Sequence, residues 1–338
     1  MAKYDFREPE DPIASGEDQE KDTLLPNTAT IGNVVLFCAA FSTVISLIWK
    51  FIPAAALPFA KSSILGFSLI NLVRLFLSLL LPIIFFSRRY RISDTLVIGR
   101  NPGLGAVILS FLIGCPASLI LVSMHNLLVH FLVTNGITLL MPTFFYGSED
   151  ISTESRLLAF TAAFLIPVLL QELFFRGLFF AVWPRSRAVF LKILLSGLLF
   201  AVFMQNPVDF LPLLILGILL AYVRQSTGHF LCPVITQISM LLTYYVFSSL
   251  LPYQDYIKTT VAKELDFAFL YTAAAAVVMS LLAFLPVLSQ LRRMSRDAAA
   301  VDLSIGDTTG ENTHGLFGWS LGLGLILFAV SWVLLLGI

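Results

Sequence analysis

Two opposite charges four residues apart interrupt an apolar run in mid-chain, Glu172 and Arg176 within Gln171-Glu172-Leu173-Phe174-Phe175-Arg176. On a helix this spacing puts both on one face, about one turn apart, where they can pair. Pairing accounts for their survival in apolar surroundings, where an isolated ionisable group is costly. The spacing suits a structural ion pair and a functional site equally, since a carboxylate is also a candidate proton acceptor. Gln171 sits about 100° round the helix from Glu172.

A third charge, Arg74, lies inside the apolar run 65–86 with no acidic residue near it in sequence. The expectation is an arginine that snorkels or bonds backbone carbonyls. Cys38, Cys115 and Cys232 show neither pairing nor metal spacing and read as small buried hydrophobes. His125 and His130 are five apart, a poor spacing for sharing a helix face, and with His229 they read as interfacial. His314 falls in a polar linker. Without a His/Glu cluster a divalent metal has no ligand set, so neither a metal nor another cofactor is expected. Gly-rich phosphate loops, haem-type Cys-x-x-Cys-His and His-Glu-x-x-His motifs are absent from the sequence.

The elements that must carry these residues are membrane helices. Hydrophobic residues make up 58% of the 338 positions and charged residues 12%, against about 25% charged in a soluble domain. A soluble fold of this size cannot hide so much apolar surface, whereas lipid can face it. Runs long enough to span occur near 31–52, 63–87, 103–124, 157–182, 189–205, 210–223, 231–251, 267–290 and 316–338. The fold class is therefore all-α, a polytopic bundle of about eight or nine membrane helices. The windows 189–205 and 210–223 are short, and 125–134 either extends the third helix or forms an interfacial piece. Pro116 is expected to kink that helix.

Residues 1–30 form an acidic tail, with eight acidic residues between Asp5 and Asp22, and read as disordered. Helices follow over 31–135, a core over 156–251 and a further helix within 252–296. A small-residue linker, 297–315, precedes a loosely attached final helix, 316–338. No cleavable signal peptide and no internal repeat are evident. Arg88, Arg89, Arg91 and Arg100, then Arg185 and Arg187, then Arg224, then Arg292, Arg293 and Arg296 fall on one side when crossings are counted. By the positive-inside tendency that side, with the N-terminal tail, is cytoplasmic. The zero formal net charge gives no reason to expect a nucleic-acid partner.

With these elements placed, a resemblance appears over 157–245. The segment Gln171 to Arg176 is similar to the motif Glu-Glu-x-x-x-Arg of the CPBP family, the CAAX-protease and bacteriocin-processing intramembrane peptidases. Phe200 to Met204, followed by Asn206-Pro207, is similar to that family's Phe-x-x-x-His with its trailing Asn-Pro. Gly217 to Tyr222 and Thr227 to Pro233 continue it, and Gln237 and Leu241 stand where the third motif, His-x-x-x-Asn, belongs.

The resemblance implies peptide hydrolysis within the membrane, with the first Glu activating a water and the two His and the Asn positioning it and stabilising the oxyanion. Here those catalytic positions hold Gln171, Met204, Gln237 and Leu241, and only Glu172 and Arg176 of the charged set survive. An amide takes up no proton at ordinary pH, a thioether donates nothing and leucine is inert. Three readings stay open. The chain is a catalytically degenerate member that binds a membrane peptide or protein partner, an active divergent peptidase using Glu172, or a transporter or assembly factor. The lipid bilayer is a partner in each, and the expected location is a bacterial cytoplasmic membrane.

Overall fold

Apolar stretches with few breakers become helices because a helix satisfies its own backbone groups. The computed structural model describes residues 28–51, 71–99, 101–135, 161, 165–183, 189–205, 209–250, 267–303 and 318–336. Helix α1 is Thr28–Phe51, α2 is Asn71–Arg89 with a π-turn at Phe76–Leu80, α3 is Asp94–Ile98 and α4 is Leu104–Thr134. Helix α5 joins Ile166–Glu172, a π-turn Leu173–Leu178 and Phe179–Ala181. Helices α6 Val189–Phe203, α7 Phe210–Thr227, α8 Leu231–Leu250, α9 Phe267–Leu303 and α10 Trp319–Leu336 complete them. Among the described residues no strand forms, only one bridge between Gly99 and His229.

Five helices contain spans long and apolar enough to cross a membrane: Thr30–Ile48, Asn71–Arg89, Leu104–His125, Phe210–Thr227 and Val277–Met294. Three more, Val189–Phe203, Leu231–Tyr244 and Trp319–Val333, are apolar but shorter. Val278, Met279, Leu282 and Leu285 stand exposed along α9, as befits a lipid-facing helix. The chain is an all-α integral membrane bundle.

Small and hydroxyl-bearing residues set the close crossings, as expected where lipid removes the hydrophobic drive between helices. At the α6–α7 crossing a Cβ on Gly217 would stand 2.8 Å from the Gly197 Cα, so the two backbones touch. Between α4 and α8, Ser118 donates to the Met240 carbonyl at 2.9 Å and Thr236 to the Ser110 carbonyl at 2.9 Å. The main core gathers Leu75 and Leu79 of α2, Phe174, Phe175 and Phe179 of α5, Phe200 and Phe203 of α6, and Phe328 of α10.

Several expectations change. The final helix is not loosely attached: α10 packs along α1, Thr43 donates to the Leu327 carbonyl at 2.9 Å, and Trp332 donates to the Val202 carbonyl at 2.7 Å. Positions 297–303 of the expected linker continue α9 as helix. Helix α4 runs through Pro116 to Thr134, so 125–134 extends the third helix. The greater part of the acidic tail, the 136–155 loop, Asn206-Pro207, Arg100, Arg185, Arg187, His314 and the rest of the linker lie outside the described residues.

Candidate functional site

Helix α5 reaches its charged residues as it changes winding. The π-turn begins at Leu173, directly after Glu172, and contains Arg176. Such single-turn widenings recur at functional positions. Glu172 and Arg176 are both fully buried, and Arg176 Nη1 donates to Glu172 Oε1 at 3.0 Å. The pair expected from the spacing is therefore present.

Two further contacts hold it. Arg176 Nη2 donates to the Gly217 carbonyl at 2.8 Å, a bond that reaches α7 beside its close crossing with α6. Gln237 Nε2, on α8, donates to the same Glu172 Oε1 at 3.0 Å. The Arg176 guanidinium also lies 4.6 Å from the centre of the Phe200 ring, a cation–π distance. Glu172 Oε2 and Arg176 Nε carry no hydrogen bond among the described residues, so the ion pair is end-on rather than a bidentate fork.

Gln171 turns the other way round the helix. Its Nε2 donates to the Met204 sulfur at 3.3 Å, across to the end of α6. Gln171 and Gln237 are each 6% exposed, and Met204 and Leu241 are half-buried. The fold thus draws Gln171, Glu172, Arg176, Met204 and Gln237 into two bonded sets that share one turn of α5. Leu241 follows Gln237 one turn along α8 and brings no polar group.

Arg224 was expected to begin a basic loop, but it is buried in the last turn of α7. Its Nε donates to the Arg176 carbonyl at 2.9 Å and its Nη2 to the Leu96 and Val97 carbonyls at 3.3 Å each. It thereby ties α3 to the π-turn. The adjacent corner closes where Gly228 ends α7 at φ 73° and Gly99 adopts φ 93°. A Cβ on Gly99 would overlap the Gly228 carbonyl, so only glycine fits there.

The remaining candidates are elsewhere. His229, expected at an interface, is buried at this corner, and its Nδ1 accepts from the Leu231 N–H at 3.1 Å. Burial first, and the Arg224 charge second, hold its imidazole below the usual histidine range. His125 of α4 pairs with Asp209, which precedes α7, and the His130 side chain lies outside the described set. Among the described residues Arg74 bonds side chains rather than backbone carbonyls. It donates to the side-chain oxygens of Gln205 and, at 3.2 Å, of Asn71. Among the described residues no group of three metal-binding side chains forms.

Against this geometry stands one comparison. Residues 153–243 match the family model described as Rce1-like, type II CAAX prenyl endopeptidase Rce1-like. This segment is similar to the CAAX-protease family. The match covers α5 to α8 as far as Thr243, and therefore both bonded sets on the α5 turn. Helices α1 to α4, α9 and α10 lie outside it. No curated protein and no solved structure gives a match.

Sequence reading missed Gln205 as the partner of Arg74 and Arg224 as the tie between α3 and the backbone of the π-turn. Their one visible signal is a polar side chain at the end of an apolar helix, which many surface residues share.

Proposed function

We propose that this CAAX-protease-like membrane protein is catalytically degenerate and binds a membrane-embedded peptide or protein partner without cleaving it. One observation carries the reading. The side chains at three positions to which the resemblance gives catalytic roles are bonded within the protein: Gln171 to Met204, and Gln237 to Glu172. None of the three is a basic group able to take a proton from water. Glu172, the surviving carboxylate, is committed through Oε1 to Arg176 and Gln237.

What supports retention of binding is the framework. Phe200, Gly217 and Arg176 still interlock α5, α6 and α7 through a cation–π contact and a carbonyl bond. The exposed Arg88, Arg89 and Arg91 after α2, with Arg292 and Arg293 on α9, support an N-terminus on the cytoplasmic side of the membrane.

The test uses full-length protein in liposomes and lipid-anchored reporter peptides bearing a fluorophore–quencher pair. Saturable association without fragment release is expected. Fragment release that disappears in Glu172→Gln would overturn the degenerate reading, and failure of every anchored peptide to associate would overturn the binding one.

A further inference from the structure

The last turn of α6 is held from two directions. On one side Met204 meets Gln171 of α5. On the other, the neighbouring Gln205 uses its whole amide. Its oxygen accepts from Arg74 of α2, and its nitrogen donates to Ser42 of α1 at 3.2 Å and to Ser331 of α10. Trp332 of α10 adds its bond to the Val202 carbonyl, and the Arg74 guanidinium lies 5.2 Å from the Phe203 ring centre.

All these outer partners come from helices beyond the segment that matches the family. Gln205 itself is 8% exposed and sits at φ 55°, a left-handed backbone that a non-glycine residue adopts only at a cost of about 1–3 kcal/mol. The surrounding bonds must over-determine that conformation. They do so one residue from Met204, whose amide still closes the helix on Phe200 at 3.1 Å.

We propose that Gln205 is a positioning residue: through it α1, α2 and α10 hold the end of α6, and that hold sets Met204 against Gln171. The flanking helices thereby govern the geometry of the family-like site although none of them belongs to the matched segment. Gln205 acts on the site through Met204, and its hold does not depend on whether a peptide binds.

Thiol labelling separates positioning from general stability. Full-length protein in liposomes, with Cys38, Cys115 and Cys232 replaced by alanine, carries one reporter, Met204→Cys, and is treated with N-ethylmaleimide. Adding Gln205→Leu should speed labelling at least about tenfold, the change expected for losing one hydrogen bond to a charged group. Gln205→Glu keeps an acceptor for Arg74 and should restore most of the protection. A second reporter, Ser239→Cys on α8, should label at an unchanged rate. Equal rates at position 204 with Gln205 and with Leu would overturn the inference. So would acceleration of both reporters by the same factor. If Gln205→Leu does not accumulate, Ser331→Ala decides in the same assay, with faster labelling at 204 alone expected and an unchanged rate contradicting it.

Discussion

Gln171 donates through Nε2 to the sulfur of Met204 at 3.3 Å, so two positions with hydrolytic roles in the family resemblance are bonded to each other. An amide–thioether contact is weak and needs no water. It fills with packing a place where hydrolysis would need a base and a donor.

Restoring the chemistry should therefore take several changes together. A variant carrying Met204→His, Gln237→His and Leu241→Asn is expected to remain inactive on anchored reporter peptides. Adding Gln171→Glu should raise fragment release about 100-fold or more over that triple variant, the contribution typical of a positioned general base. Fluorescence dequenching measures it.

The ion pair on α5 predicts an asymmetry. Arg176→Met alone strands a fully buried carboxylate and should lower stability by about 3–5 kcal/mol, read as thermal melting of the detergent-solubilised protein. Glu172→Leu together with Arg176→Met should cost much less, because Oε2 and Nε are already without partners. A double variant as unstable as the single one would contradict this.

Packing at the α6–α7 crossing gives a third expectation. Gly197→Val has no room, since its Cβ would stand 2.7 Å from the Ile218 nitrogen. Parting the helices draws the Gly217 carbonyl away from Arg176. A loss of about 1–3 kcal/mol is expected, the usual cost of overpacking, against no change for Gly103→Ala, which meets open space.

Acid should loosen the corner at His229. Its imidazole titrates below the ordinary value of 6.5, because of burial and then of Arg224. The unfolded chain therefore binds the proton first, and this contribution to stability is present above about pH 6.5 and is lost as pH falls below it. Protonation would also remove the lone pair that accepts the Leu231 N–H. Melting temperature should fall more steeply on acidification for wild type than for His229→Gln.

The helices and the Glu172–Arg176 pair were legible in the sequence because each rests on local spacing. Apolar length marks a span, and a separation of four marks a shared face. Gln237 reaches Glu172 across 65 positions and Gln205 reaches Arg74 across 131, distances that no periodicity encodes. The docking of α10 was hidden for the same reason: a polar stretch before an apolar helix looks alike whether the helix drifts or packs. His229 was misread because burial at a turn depends on what the opposite chain, here Ile98-Gly99, brings to it.

The route from Arg74 through Gln205 to Ser331 also orders the protein's synthesis. Arg74 must enter the bilayer while Gln205 and the tenth helix are still unmade, so for part of its biogenesis its charge lacks these neighbours. A chain that stops before Ser331 leaves the Gln205 amide without one of its bonded partners.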